Sequence, residues 1–294
     1  MQLPSTLPKL SFGELVAKLP IIQGGMGIGV SQVGLASAVA QAGGIGVIAT
    51  AGIGCDEPDF KSNFVEANAR ALRDQIRGVK DKVQEGKVLG VNIMVALTNY
   101  ASLVRTAVEE KADIIFSGAG LPLSLPEIAG EGVKTKLVPI ISSARAAKVL
   151  CKKWLNKYGR LPDGFVVEGP KAGGHLGFKA EQLEDEAFSL ERLVPEVVEE
   201  VKIHEDASGR AIPVVAAGGV FSGDDIGYFL ELGAAGVQLG TRFVCTHECD
   251  AAPEFKQAFI DAREEDVAII KSPVGMPGRA IRNMFIRDVE DGKR

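Results

Sequence analysis

Apolar residues fall into eight short, nearly continuous runs along the chain. The runs are PIIQGGM (20–26), GIGVIA (44–49), VLGVNIM (88–94), ADIIFSGAG (112–120), LVPIISS (137–143), GFVVEG (164–169), IPVVAAGG (212–219) and GVQLGTRF (236–243). Continuous rather than alternating apolar runs are typical of strands buried on both faces of a parallel sheet. The pattern therefore predicts eight buried strands.

Most of these runs are separated by segments with apolar residues at helical spacing. These segments are SQVGLASAVAQAG, NYASLVRTAVEEK, SARAAKVLCKKWLNKYG, SLERLVPEVVEEVK and GDDIGYFLELG. In the first helix we expect Ser31 to be the amino-terminal cap and Gly43 the stop, and the last helix should end on Gly233. Eight strand–helix units favour an α/β fold of the (β/α)8 barrel type. A doubly wound sheet is the alternative. GMGIGVS has the glycines of that fold, but the sequence after it lacks the acidic residue that usually closes the second strand.

Two segments depart from the repeating pattern. Residues 50–68 separate the second strand from its helix by an unusual length and are a candidate lid. Residues 244–294 follow the eighth strand and contain APEFKQAFIDAREED and SPVGMPGRAIRN. We expect a helical insertion over the barrel mouth there, which divides the chain into a barrel (1–243) and a lid (244–294). A barrel-closing last helix is not evident, which suggests a truncated form.

Composition narrows the class of protein. The chain has 294 residues, is 46% hydrophobic and 24% charged, and carries a net charge of −5, which argues against nucleic acid as a partner. No apolar run approaches the ~18 residues of a membrane span, and the first ten residues lack a secretory segment, so we expect a cytoplasmic protein. Four cysteines do not form a disulfide scaffold, and CTHEC (245–249) is weak as a metal site, so we predict no metal.

Polar and glycine residues gather where the predicted strands end, which is where such barrels place their active sites. The first strand ends in Gln23 and GGM, the third in Asn92, the fourth in SGAG (117–120) and the sixth in Glu168. The seventh ends in Ala217, Gly218 and Gly219, and the eighth in Gly240 and Thr241. Backbone N–H groups at these last two ends commonly bind phosphate in barrels, which suggests a phosphorylated cofactor or a sugar-phosphate substrate.

Three histidines differ in their surroundings. His175 lies in GPKAGGHLG (169–177), a loop too rich in glycine to cover an imidazole. An imidazole titrates near neutrality and can remove an acidic proton or pair with an anion, so His175 is the candidate catalytic residue. We expect His204 in a solvated polar connection and His247 in packing or at the surface.

The ordered motifs PIIQGGMG, AQAGGIGVI, GVNIM, EGPKAGGHLG, IPVVAAGGV and VQLGTRF resemble the nitronate monooxygenase family, formerly called 2-nitropropane dioxygenases. The related flavin-dependent enoyl-acyl-carrier-protein reductases share these motifs. The resemblance runs from about residue 20 to 243 and more loosely to 283. It implies FMN across the barrel mouth, so that residues 1–243 would be an FMN-binding barrel.

The resemblance also implies roles for individual residues. The backbone of Gly25 and Met26 would touch the flavin ring, with Asn92 nearby, and Glu168 and Lys171 would reach the ring or the ribityl chain. Gly218, Gly219, Gly240 and Thr241 would hold the phosphate, while His175 would face the substrate. The same motifs place Gly174, Ala217 and Gln238 among the cofactor-binding residues. For Gln23, a flavin contact and a turn-stabilising hydrogen bond are both open.

Several functions share these motifs. The first is oxidation of alkyl nitronates, and of nitroalkanes if His175 is a base, by oxygen to carbonyl compounds and nitrite. The second is NAD(P)H-dependent reduction of enoyl thioesters. A flavin-binding module without turnover and a sugar-phosphate barrel are further alternatives. Arg279 and Arg282 are either solvated or attract an anion. The resemblance allows a homodimer, and the sequence does not fix the oligomeric state.

Overall fold

The structure is a computed structural model that describes residues 7–272 and 275–293. The amino-terminal stretch, two residues of the SPVGMPGRAIRN segment and the last residue lie outside the described residues. Its strands are β1 (Leu10–Phe12), β2 (Leu15–Ala17), β3 (Ile21–Gln23), β4 (Ile45–Ala49), β5 (Val88–Met94), β6 (Ile114–Gly118), β7 (Lys136–Ile141), β8 (Phe165–Glu168), β9 (Gly174–His175), β10 (Val214–Ala217), β11 (Gly236–Leu239), β12 (Val267–Lys271) and β13 (Pro277–Ile281). Its helices are α1 (Val33–Ala42), α2 (Phe64–Lys82), α3 (Tyr100–Glu109), α4 (Leu125–Ala129), α5 (Ala144–Tyr158), α6 (Leu190–Ser208), α7 (Gly223–Glu231), α8 (Thr241–Val244), α9 (Pro253–Asp261) and α10 (Met284–Glu290).

The predicted barrel is confirmed. Strands β3, β4, β5, β6, β7, β8, β10 and β11 pair in parallel in that order, and β11 pairs with β3 to close the ring. Each of the eight apolar runs contributes one of these strands. Because side chains alternate across a strand, each strand contributes residues to one cluster inside the barrel and to another between the barrel and its helices.

A short hairpin that the pattern of apolar runs did not predict fills the amino-terminal end of the barrel. Strands β1 and β2 pair antiparallel just before β3. Leu10 and Phe12 are almost fully buried and belong to the inner cluster with Ile22, Val166 and Val215. The opposite end, where the strands terminate, is therefore the open mouth of the barrel.

The prediction that Ser31 caps α1 is wrong. The helix begins at Val33, and the carboxylate of Asp250 accepts hydrogen bonds from the backbone N–H groups of Gln32, Gly34 and Leu35 at 2.8–3.0 Å. Ser31 is buried and its Oγ instead accepts from the N–H of Met26. A carboxylate more than 200 residues away thus replaces a local cap. Gly43 ends the helix in the left-handed conformation, as predicted.

Other boundaries also shift. The long segment after β4 ends at Asn63 rather than near Asn68, because α2 already begins at Phe64. His204 does not lie in a connection: α6 continues to Ser208, and the Nε2 of His204 lies 3.9 Å from the Oε1 of Glu200, one turn earlier.

The segment after β11 contains helices, as predicted, but also a β-hairpin that was not predicted. Strands β12 and β13 pair antiparallel, and β13 pairs with β9, the strand that contains His175. The carboxy-terminal segment is therefore mixed α and β rather than only helical. It lies at the mouth of the barrel because β9 follows the end of β8.

Candidate active site

Three polar side chains face the inside of the barrel at its mouth. Asn92 and Glu168 lie on the same strand faces as Val88 and Val166 of the inner cluster. Gln238 follows Val237, which packs outside the barrel, so Gln238 points inward. Among the described residues, none of these three side chains has a hydrogen-bond partner, although all three are half-buried. Such groups are satisfied by water or by a ligand.

Gly25 packs directly against Asn92. A Cβ atom at residue 25 would lie 2.4 Å from the Cβ of Asn92, so no larger residue fits without displacing the asparagine. The neighbouring Met26 is less available for polar contact, because its N–H donates to Ser31 Oγ at 3.0 Å and its carbonyl accepts from the Ser31 N–H. The first strand end therefore brings backbone and the Asn92 carboxamide together at one side of the mouth.

Gln23 does not line the mouth. Its side chain is fully buried; its Nε2 donates to Gly24 O at 2.5 Å and Ser31 Oγ at 2.9 Å, and its Oε1 accepts from the N–H of Val47 at 3.0 Å. Of the two roles left open for Gln23, these hydrogen bonds support the turn-stabilising one. Ser117, at the end of β6, likewise bonds to the hydroxyl of Tyr100.

Glu168 is the most perturbed acidic group of the site. Burial raises the pKa of this carboxyl to about 7, because none of the described residues offers a base or an N–H group that offsets the desolvation of the charged form. In the register of the barrel Glu168 lies beside Ala217 of β10. A carboxyl that titrates near neutrality at a barrel mouth can hold or release a proton under ordinary conditions.

Two glycines end β10 in a backbone conformation that other residues rarely adopt. Gly218 and Gly219 have φ values of +91° and +99°. A Cβ at Gly218 would lie 2.9 Å from the carbonyl oxygen of Gly169, and one at Gly219 would lie 3.1 Å from the Cβ of Lys171. The turn is therefore restricted to glycine by its backbone and by its neighbours, and the side chain of Lys171 lies beside it.

The end of β11 faces the same region. Among the described residues no acceptor is found for the N–H groups of Gly218, Gly219 and Gly240, and Thr241 is the first residue of α8. The Thr241 hydroxyl also lacks a hydrogen bond in the part of the chain that is described. Two neighbouring strand ends thus present unpaired donors, the arrangement that an anion such as phosphate requires.

The glycine loop that contains His175 follows the rim of the mouth on both sides of β8. The Cβ position of Gly173 lies 4.0 Å from the Oγ1 of Thr241, after β11, and that of Gly177 lies 2.6 Å from the Oγ of Ser142, after β7. Between them Gly174 has a φ of +76°, and His175 is half-buried without a side-chain hydrogen bond to any described residue. The loop therefore brings His175 to the rim of the mouth, and the described residues leave both of its ring nitrogens without a hydrogen bond.

Ser142 was missed by the sequence analysis. It follows β7 and lies two residues after Ile140, which packs against the inner cluster, so it faces the mouth. The two serines that end LVPIISS were the signal for it, since a polar residue at a barrel strand end is a candidate site residue.

Arg279 and Arg282 have separate environments. The Nη1 of Arg279 donates to the carbonyl oxygens of Pro170 and Ala172 at 2.5 and 3.2 Å. Arg282 pairs with Glu290 of α10, with 3.2 Å between Nε and Oε2. Neither arginine is simply solvated: Arg279 contacts the loop of His175, and Arg282 contacts α10.

The two cysteines of CTHEC contact backbone carbonyl groups in different parts of the chain. Cys249 is buried and its Sγ contacts Val30 O at 3.5 Å, whereas Cys245 is exposed and contacts Lys256 O at 3.7 Å. His247 is exposed. This motif therefore lies between α8 and α9, and Cys249 attaches it to the loop before α1.

The residues at the mouth fit the cofactor that the resemblance implied. The unpaired N–H groups after β10 and β11 suit a phosphate, and the carboxamides of Asn92 and Gln238 suit the polar edge of an aromatic ring system. Glycines at 25 and 218 allow a close approach that a Cβ would obstruct. The individual residue assignments remain predictions.

Comparison with known proteins gives consistent relatives. The family model for nitronate monooxygenase matches residues 12–294. The chain is 29% identical over 276 residues to the (3aS,4S,5R,7aS)-5-hydroxy-7a-methyl-1-oxo-octahydro-1H-indene-4-carboxyl-CoA dehydrogenase of Mycobacterium tuberculosis. The matched region covers 94% of this chain and 66% of the dehydrogenase. It is 28% identical to a probable nitronate monooxygenase of Bacillus subtilis over 92% of this chain and 78% of the relative.

Solved structures agree. FabK from Thermotoga maritima superposes with a TM-score of 0.73 at 30% identity, over 94% of this chain and 75% of that chain. A nitroalkane oxidase from Streptomyces ansochromogenes has the same fold, with a TM-score of 0.73 at 24% identity, over 92% of this chain and 79% of its own. These relatives are oxidoreductases, and the chain spans just under two thirds of the M. tuberculosis dehydrogenase. With the family model matched along almost its whole length, the chain belongs to the nitronate monooxygenase family.

Proposed function

We propose that this protein is an FMN-dependent oxidoreductase that oxidises alkyl nitronates with oxygen to carbonyl compounds and nitrite. The observation that carries the proposal is the barrel mouth itself. Within the described residues, it combines unpaired N–H groups after β10 and β11 with the unpaired polar groups of Asn92, Glu168 and Gln238 in a member of this family. The overall reaction balances when two nitronate anions and one dioxygen give two carbonyl compounds and two nitrite ions.

The chain would hold the cofactor through its backbone. Gly218, Gly219, Gly240 and Thr241 would bind the phosphate, and Lys171, whose side chain lies beside Gly219, would add a positive charge. Gly25, Met26, Asn92, Gln238 and Ala217 would surround the ring, with Glu168 and Gly174 close by. When bound, the flavin would supply the one-electron redox chemistry between nitronate and oxygen.

His175 would act on the substrate. An alkyl nitronate is already deprotonated at carbon, so His175 needs only to orient the anion, and it becomes a base only if neutral nitroalkanes are used. The glycines on either side of His175 leave room for a small substrate above the cofactor. A small molecule and oxygen are the only partners that this reaction requires, and a homodimer remains compatible with it.

Reduction of an enoyl thioester is the second candidate. It is favoured by the relation to a carboxyl-CoA dehydrogenase, whose name points to thioester chemistry, and by the motifs that the chain shares with enoyl-acyl-carrier-protein reductases. NAD(P)H would then supply the electrons, and the same residues would hold the flavin. The flavin-binding residues therefore do not separate the two reactions.

Anaerobic reduction of the bound flavin separates them. Purified yellow protein is mixed without oxygen with propyl nitronate or with NADH, and the absorbance of the flavin is followed. We expect propyl nitronate to bleach the flavin rapidly and NADH to bleach it slowly. Rapid bleaching by NADH alone would instead favour the reductase. A protein that stays colourless after FMN addition would contradict both and favour a sugar-phosphate barrel.

In the part of the chain that the structure describes, helices are either too short or too polar to traverse a lipid bilayer. A cytoplasmic setting is our proposal, based on the four cysteines, which the structure describes as free thiols.

A further inference from the structure

The loop that contains His175 is held mainly by a distant part of the chain. Strand β13 pairs antiparallel with β9, so that Gly278 lies opposite His175 and Arg279 lies opposite Gly174. The N–H of Leu176 also donates to Pro277 O at 2.8 Å. About a hundred residues of sequence separate the two strands, so the position of His175 depends on the carboxy-terminal hairpin.

Arg279 extends this attachment to the first half of the loop. Its Nη1 donates to two carbonyl oxygens, those of Pro170 and Ala172, which flank Lys171. Burial lowers the pKa of Arg279, and no carboxylate among the described residues pairs with it. A guanidinium that is partly desolvated and bonded to backbone carbonyls fixes the conformation of the chain that provides those carbonyls.

One side of the loop borders a cavity of about 730 Å³ instead of packed side chains. Pro170, Lys171 and Arg279 line this cavity together with the Gly218–Gly219 turn, the start of α6 and part of α7. Glycines at 173 and 174 contribute no side-chain packing. Ala172 and Leu176 anchor the loop in the core, whereas Lys171, Gly173 and Gly174 are exposed. The two hydrogen bonds from Arg279 therefore hold the carbonyl groups on either side of Lys171, in the part of the loop with the least packing.

We propose that Arg279 is a positioning residue that holds the loop of residues 169–177, and through it Lys171 and His175, at the barrel mouth. Its contacts favour this role over the attraction of an anionic substrate, which the sequence alone left open. The catalytic consequence rests on the proposed function, but the effect on the loop does not. Removal of Arg279 should loosen the loop whether or not the protein oxidises nitronates.

Limited trypsin digestion measures the loop directly, because Lys171 and Lys179 are exposed residues within or next to it. Arg279→Ala is compared with wild type, with Arg279→Lys, and with Arg282→Ala as the matched control, since Arg282 follows the same strand but pairs with Glu290. The rate of cleavage after Lys171 is followed by mass spectrometry. Loss of a charged hydrogen bond should raise that rate about tenfold or more in Arg279→Ala.

The three variants distinguish the outcomes. We expect Arg282→Ala to match wild type and Arg279→Lys to be intermediate, because one ammonium group can bond to only part of the pair of carbonyls. Unchanged cleavage in Arg279→Ala would overturn the proposal. Equal acceleration in Arg279→Ala and Arg282→Ala would also overturn it, because general loosening of the hairpin would then be the cause.

Steady-state kinetics distinguish the two roles of Arg279, because loss of positioning lowers kcat whereas loss of anion attraction raises KM. On the substrate identified by the anaerobic test, we expect Arg279→Ala to lower kcat by about tenfold or more, as loss of a group-positioning contact does. A rise in KM that is abolished at high salt, with kcat and proteolysis unchanged, would assign Arg279 to anion attraction instead. If Arg279→Ala does not fold, Arg279→Lys decides: cleavage equal to wild type would overturn the proposal.

Discussion

At the scale of single residues, the site is defined by groups that the fold leaves without partners. Among the described residues, the half-buried carboxyl of Glu168 has no hydrogen-bond partner, and the backbone of His175 is fixed by β13 while its side chain has no partner. Buried polar groups are otherwise almost always paired, because an unpaired one costs stability. Such residues are expected where a ligand completes the structure, and each can be tested by its own substitution.

Glu168 should make the stability of the flavin-free protein depend on pH. Burial raises its pKa from 4.5 to about 7, so the folded state keeps a proton that the unfolded chain has already lost. Stability from this group is present below about pH 4.5 and falls as pH rises through 7, by at most about 3 kcal/mol. Glu168→Gln should abolish this loss, measured by denaturant unfolding at pH 5 and pH 8. The idea fails if wild type and variant lose the same stability between these two pH values.

His175 should matter more for neutral substrates than for anionic ones. Removing a proton from a nitroalkane needs a base, so His175→Asn should lower kcat/KM on nitroalkanes by roughly 10²–10⁴-fold. On the preformed nitronate the loss should be much smaller, because only orientation and charge pairing are removed. The measurement compares kcat/KM for a nitroalkane and its own nitronate. Equal losses on the two substrates would rule out a base role.

At the scale of elements, the sequence predicted what depends on local pattern. The eight barrel strands were evident because each is a continuous apolar run, and Gly43 ended α1 because only a left-handed residue fits there. The helix cap was misassigned because its acceptor, Asp250, comes from another part of the chain. Local residues cannot reveal such a partner.

The hairpin was missed for a related reason. In β12 the residues alternate, with Val267 and Ile269 more than 40% exposed and Ala268 buried, which is a strand pattern. Its neighbourhood in the sequence is helical, and β13 finds its partner, β9, about a hundred positions earlier. The strand ends of the candidate site were predictable from barrel geometry, whereas the attachment of Arg279 to the glycine loop was not.

At the scale of the whole molecule, the proposed function divides the barrel mouth into a phosphate side and a substrate side. The donors after β10 and β11 lie on one side, and the mouth-facing Asn92 and the loop of His175 complete the rim. A cofactor that bridges these parts would stabilise the entire fold, because it binds only the assembled barrel. Thermal stability is therefore a test of the phosphate site that needs no knowledge of the substrate.

FMN should stabilise the flavin-free protein more than riboflavin, which lacks the phosphate. At a hundredfold excess over its Kd, a ligand adds about 2.7 kcal/mol, or roughly 5 °C or more in Tm. In Gly219→Val the side chain would project towards Lys171, so the FMN shift should largely vanish. The matched control is Gly86→Val, which bears similar backbone strain, with a φ of +80° against +99°, in open space before β5. It should keep the shift. Equal shifts with FMN and riboflavin, or an undiminished FMN shift in Gly219→Val, would place the phosphate elsewhere.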